Sequence, residues 1–176
     1  MQYVKGNSNA VPWLGTFHSI SVKFLRRHAE ALDYKSNFTI LDTDDQKKLI
    51  RNISKAENID AKKISPQFIL ALIDQWKNKG LLPEEVKSSK KNIFESQILK
   101  IYKIYQGKIR DLNCCDFGDL ILYCVKLFEK NPDIRKIYAN NFKYILVDEY
   151  QDTNFIQSKW LNILTKSNKN ICCVGD

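Results

Sequence analysis

Tyr144-Ile145-Leu146-Val147-Asp148-Glu149-Tyr150-Gln151-Asp152-Thr153-Asn154 is the stretch that decides the fold. It opens with a short, mostly branched apolar run, the pattern of a strand buried on both faces of a parallel sheet. The run ends in two adjacent acids. Acids at the carboxyl end of such a strand stand in the crevice where open α/β sheets bind ligands. There Asp148 can hold Mg2+ through its water shell and Glu149 can polarise an attacking water, which is the acidic half of a nucleoside-triphosphate site. Taken alone, an Asp-Glu pair after a strand also reads as a solvated turn.

Working outward, residues 154–166 read as a helix and 170–174 as a strand. Residues 143–174 therefore form a strand-helix-strand unit, whose parallel strands cross over right-handedly. At the other end, residues 11–17 read as a short strand, followed by a helix over 19–33 with Ile20, Phe24, Ala31 and Leu32 on its apolar face. Between the two ends the pattern is helical. Residues 38–41 are a brief extended piece. Thr43 with Gln46 makes a capping-box pattern that opens a helix to about residue 56. Ser65-Pro66 is an N-cap with a first-turn proline, opening a helix to about 78. Apolar residues at 94, 98, 101, 105, 109 and 112 make one stripe on a long helix over 92–112. Helices over 117–130 and from Asn131-Pro132 to about 139 follow. The predicted class is α/β, mostly α by content: a partial parallel sheet from the two ends of the chain with a large all-helical insertion.

The chain has 176 residues, 44% hydrophobic, enough for a core. No stretch approaches the ~20 apolar residues of a membrane span, and no signal-peptide core opens the chain. These features predict a soluble intracellular protein without a membrane partner. Five cysteines lie at 114, 115, 124, 172 and 173. Their adjacent pairing lacks the spacing that grips zinc, and Cys172 and Cys173 read as buried small hydrophobes. Net charge is +8 and unevenly spread: +3 over residues 1–35, zero over 36–76, +6 over 77–110 and −1 over 111–176. Two basic segments fit a phosphate-facing surface, and equally a solvated lysine-rich face.

Gly15-Thr16-Phe17-His18-Ser19 leads into the first helix. It offers amides at a helix start, two hydroxyls, a ring and an imidazole, a set that can hold a phosphate and stack on a base. The same residues also read as a plain helix start, with Ser19 as N-cap and Phe17 as core. Asp116-Phe117-Gly118 invites a protein-kinase reading. The Gly-rich loop, strand lysine and His-Arg-Asp loop that kinases need are missing from the sequence.

Asp148-Glu149-Tyr150-Gln151-Asp152-Thr153-Asn154 closely resembles the Walker B motif of superfamily 1 DNA helicases of the UvrD/Rep/PcrA group. Gly15-Thr16-Phe17-His18-Ser19 with Leu25-Arg26-Arg27 resembles that group's motif Ia, which contacts single-stranded DNA. Asn37 to Asp42 with Asp45-Gln46 looks like the start of the family's inserted helical subdomain, and Asp116 to Ile121 like its end. Gly118 departs from the usual Asp-Phe-Asp-Asp-Leu, which weakens a helix start there.

The resemblance covers about 11–176. It implies a RecA-like motor domain at 1–35 and 116–176, and an inserted helical subdomain at 36–115. It implies Asp148 as the Mg2+ ligand, Glu149 as general base, and Gln151 beside Asp148 at the nucleotide. Thr16, Phe17, His18 and Ser19 become DNA contacts, with Phe17 the stacking ring. The implied cofactors are ATP and Mg2+ in an intact parent protein. The implied partners are single-stranded and fork-duplex DNA, with repair proteins, in a bacterial cytoplasm close to the nucleoid.

No Gly-x-x-x-x-Gly-Lys-Ser/Thr loop occurs in the sequence. The chain is therefore expected to be a segment of a helicase that lacks ATPase and binds neither ATP nor Mg2+ tightly by itself. An open sheet edge is expected to favour self-association. Two other readings stay open: a non-catalytic DNA- or protein-binding module, and the motor part of a helicase–nuclease subunit.

Overall fold

The computed structural model describes residues 13–59, 64–87, 93–166 and 169–176. Val11, Pro12 and residue 92 of the expected elements lie outside them. The first helix, α1 (Phe17–Arg27), starts two residues earlier than expected. Its N-cap is Thr16, whose hydroxyl accepts the Ser19 N–H at 3.2 Å, while the Ser19 hydroxyl donates to the Thr16 carbonyl at 3.0 Å. Thr16 wins the cap because it has the extended backbone a cap requires. The helix stops at Arg27, and a 3-10 turn over Ala29–Leu32 completes the segment expected to be one helix.

Strand β1 (Thr39–Ile40) leads into α2 (Thr43–Ala56), α3 (Pro66–Asn78) and α4 (Ile93–Asp111). Asp42 caps α2 by accepting the Asp45 N–H at 2.8 Å, so the cap sits one residue before the expected Thr43. Ser65 and Pro66 open α3 as the sequence predicts. The α4 stripe is buried in its middle, at Ile98, Ile101, Tyr105 and Ile109, and exposed at its ends, Phe94 and Leu112.

Strand β2 (Cys114–Cys115) was not foreseen, since two residues carry no periodicity. It pairs in parallel with β1, Thr39 opposite Cys114 and Ile40 opposite Cys115. The chain thus leaves for its helical excursion and returns from it at adjacent backbones. Two hydrophobic clusters correspond to this route. Ile50, Ile73, Ile101 and Tyr105 belong to one, within α2–α4. The other surrounds Phe24 and includes α5 (Phe117–Lys130), α6 (Pro132–Asn141) and α7 (Phe155–Thr165).

A buried ion cluster joins the two. Lys77, on α3, is only 1% exposed, so it does not belong to the basic surface that its segment's charge suggested. Its Nζ lies 2.6 Å from Asp116 Oδ2 and 2.8 Å from Asp119 Oδ1. The Tyr105 hydroxyl donates to Asp116 at 2.8 Å, and the Gln106 amide donates to Asp119 at 2.9 Å. Asp116 and Asp119 also form the capping box of α5. A Cβ on Gly118 would sit 2.8 Å from Lys77 Cδ, so the glycine leaves room for the lysine stem. That accounts for its place in a helix first turn. Burial, together with the neighbouring Asp116 charge, pushes Asp119 up to about 6.

Strands β3 (Ile145–Val147) and β4 (Ile171–Cys173) pair in parallel, with Ile145 opposite Ile171. Among the described residues this sheet has two strands, and residues 13–16 add none to it. Trp13 instead stacks on Phe24 at 4.7 Å. Among the described residues the ladder therefore comes from the carboxyl-terminal end, while most of the amino-terminal end lies outside them. Leu146 is left 82% exposed, and Cys172 and Cys173 are exposed rather than buried.

Removing one partner from a buried ion pair strands the others, typically at about 3–5 kcal/mol. Lys77→Met is expected to destabilise the fold by about that amount in urea denaturation. A loss under about 1 kcal/mol would show that the cluster does not hold the joint.

Candidate functional site

β3 delivers Asp148 and Glu149 just past its last residue, Val147. Both are exposed. Glu149 sits in the left-handed region, φ 52°, ψ 44°, and turns the chain sharply into a 3-10 turn over Tyr150–Asp152. A non-glycine residue pays roughly 1–2 kcal/mol for that conformation, so its surroundings must enforce it. They do so from several sides. The Tyr150 N–H donates to the Val174 carbonyl at 2.9 Å, and the Val174 N–H to the Val147 carbonyl at 2.8 Å. The Glu149 N–H donates to Asp148 Oδ1 at 3.0 Å, and the Thr153 hydroxyl to the Tyr150 carbonyl at 2.7 Å. Asn154 and Gln157 form the capping box of α7 directly after the turn.

Gln151 does not line the cleft described below. Its amide donates to Glu149 Oε2, which fixes the direction of that carboxylate. Gly175 lies underneath. A Cβ there would come within 2.1 Å of Gln151 Oε1 and 3.2 Å of the Tyr150 nitrogen. Sequence reasoning passed over Gly175, although a Gly-Asp directly after a strand was the available signal.

The acids face an open cleft of about 870 Å3 between residues 13–20, β3 and α7. Thr16, Phe17, His18, Val147, Asp148, Glu149 and Trp160 are among the residues that line it. The two sequence motifs therefore share one space. Ser19 does not line it, because its hydroxyl is turned back on Thr16. Phe17 is half-buried, its ring edge-on to Trp160 at 5.5 Å. Trp160 in turn donates its indole N–H to Cys124 Sγ at 3.0 Å. Phe17 thus joins the core on one side and meets the cleft on the other. His18 is also half-buried, and burial lowers its pKa, which favours the neutral imidazole. Its ring meets Phe117 at 5.5 Å, a residue the sequence offered only as part of a helix start.

Among the described residues no three His, Cys, Asp or Glu side chains cluster as a metal cage. One or two exposed carboxylates at a cleft are the set Mg2+ takes when phosphate oxygens and water complete its shell, so Asp148 and Glu149 suit Mg2+ carried by a nucleotide. No described helix is long and apolar enough to cross a membrane.

The UvrD/REP helicase N-terminal domain family matches residues 2–176. The chain belongs to that helicase family. It is 45% identical over 166 residues to a probable DNA helicase II homolog of Rickettsia felis, covering 93% of this chain and 25% of that protein. It is 38% identical over 176 residues to the ATP-dependent DNA helicase PcrA of Staphylococcus epidermidis, covering 100% of this chain and 24% of that protein. The chain thus spans about a quarter of the length of the curated relatives it matches. In this UvrD/REP chain, Asp148 and Glu149 line one cleft together with Gly15, Thr16, Phe17 and His18.

Both histidines have lowered pKa values, His18 through burial, His28 through burial and then the Arg27 charge. A depressed histidine stabilises the fold above its unfolded pKa of about 6.5, and that contribution is lost as pH falls through the folded value. Asp119, raised to about 6, acts in the opposite sense, losing its contribution as pH rises through that value. Acidification from about pH 7.5 to about 5.5 is therefore expected to lower the melting temperature less in His18→Gln/His28→Gln than in the parent chain. An equal or larger drop in the double variant would contradict these assignments.

Proposed function

We propose that this chain is part of the first motor domain of an ATP-dependent DNA helicase that translocates on single strands and opens duplex, in DNA repair. On this reading residues 1–35 and 116–176 belong to a RecA-like sheet domain, and 36–115 to its inserted helical subdomain. The shared cleft carries the proposal. The acids meant for the nucleotide and residues of the turn meant for DNA line the same space, which supports this reading.

Asp148 would hold Mg2+ through water, and Glu149 would take the proton from the attacking water. Bound Mg2+-ATP supplies the phosphoryl group and the charge that draws both acids toward it. Gln151 keeps Glu149 directed through its hydrogen bond. The left-handed corner at Glu149, clamped to the Val174 backbone, keeps the couple at the strand end. Thr16, His18 and Ser19 would meet the DNA backbone or bases at the start of α1, and Phe17 would offer the part of its ring that faces the cleft. Trp160 lines the same cleft as the acids, and its ring meets Phe17. The setting is a bacterial cytoplasm near the nucleoid, with single-stranded and fork DNA as partners and repair proteins around it. An open sheet edge would also favour self-association.

With no phosphate-cradling Gly-Lys loop in the sequence, the chain itself is expected to bind ATP and Mg2+ weakly and to turn over no ATP. A phosphate-release assay checks this. Mg2+-dependent turnover by the purified chain that disappears in Glu149→Gln would contradict it. Binding to a protein or to duplex DNA, with no affinity for single strands, would favour the non-catalytic module instead.

A further inference from the structure

We propose that the joint around Lys77 is a proton-binding site: under mildly acidic conditions Asp119 takes up one proton, the Gln106 amide turns to receive it, and the joint tightens. The inference is independent of the DNA reading above.

The charges in the joint do not balance. Lys77, Asp116 and Asp119 are each at most 1% exposed, so one cation faces two carboxylates and little solvent screens the excess. Asp74, on α3, brings a further acid toward Asp116. The nearby cation on α4, Arg110, interacts with the Tyr123 and Tyr34 hydroxyls. Gln106 shows the same deficit independently. Its amide nitrogen donates to Asp119 Oδ1 at 2.9 Å and to the Tyr123 hydroxyl at 2.6 Å, while its buried carbonyl oxygen has no partner. Half a turn of the amide puts that oxygen where the nitrogen was. There it accepts one O–H from a protonated Asp119 and another from Tyr123. The 2.6 Å separation from Tyr123 suits an O–H···O bond. Two hydrogen bonds are made in either state, but the buried excess charge exists only in the first.

The proton goes to Asp119 because its neighbours cannot take it. Burial opposes the charge on Asp116, but Lys77, by charge and hydrogen bond, holds that carboxyl below the usual carboxylate range. Burial keeps the other facing groups neutral: Tyr102 and Tyr105 on α4, Cys115 on β2, Tyr123 on α5, and Tyr34. Burial and the Asp116 charge push Asp119 up to about 6. With the folded value raised, the added stability is full below the ordinary carboxylate range and fades as pH rises through about 6.

NMR of the whole chain tests the site, following the assigned Asp119 carboxyl carbon and the Gln106 side-chain amide from about pH 7.5 to about pH 5. Asp119 is expected to titrate with a midpoint of about 6, the Gln106 signals moving with it. A midpoint at or below about 4, as for an exposed aspartate, overturns the proposal. Titration of Asp119 with Gln106 unmoved overturns Gln106 as the acceptor. Hydrogen exchange reads the joint through the Thr39 and Leu41 amides, which donate to the Asn113 and Cys115 carbonyls. Between about pH 7.5 and about pH 5.5 their protection, corrected for intrinsic rates, is expected to change about fourfold more favourably in the parent than in Asp119→Asn, which carries the same histidines. An equal change in both chains overturns the tightening. The carboxyl titration needs no variant, so it decides the proposal even where Asp119→Asn does not fold.

Discussion

Lys77 is the pin on which the described molecule turns. Its charge is shared between two carboxylates on the first turn of α5, and it reaches them from α3, in the other hydrophobic cluster. Burial opposes a charged lysine, but the two acids and their hydrogen bonds outweigh it and raise its pKa. Such a cluster adds little net stability compared with an apolar core of the same shape, but it is unforgiving of other arrangements. Its consequence is positional. It fixes where α5 begins, and α5 packs on α1 and α7, the two helices that border the cleft.

The cleft inherits its geometry from that frame. Residues 13–20 lie on it because Trp13 stacks on Phe24 and Phe17 meets Trp160. The acids lie on it because β3 ends there and the chain beyond β4 clamps the next turn. Neither wall depends on a long element. Each depends on a few close contacts, Gly175 under Gln151 among them. A cleft built this way has the Asp148-Glu149 couple and the start of α1 on one lining.

Much of this was legible in the sequence. The α2–α7 pattern followed from caps, prolines and apolar spacing, and the strand-acid-acid signature placed Asp148 and Glu149 at a strand end facing open space. What was not legible depended on contacts distant in sequence. The β1–β2 ladder links residues 75 positions apart and has no local signature. Lys77 looked like one more surface lysine, because charge composition does not reveal a partner 39 residues away. Cys172 and Cys173 sit in an apolar run that promised burial, but burial needs a covering layer, and both are exposed. Gly118 looked like a weakness until the lysine stem beside it was seen.

The account stands on the acids and the Gly15–Ser19 turn sharing one cleft that accepts a divalent cation. Amide NMR of the whole chain titrated with Mn2+ tests it most directly, since a paramagnetic ion broadens signals by distance alone. The account predicts broadening first at Asp148, Glu149 and Tyr150, then at Thr16 to His18, with competing Mg2+ restoring both. Broadening centred elsewhere, or confined to the acids with that turn untouched, would contradict it.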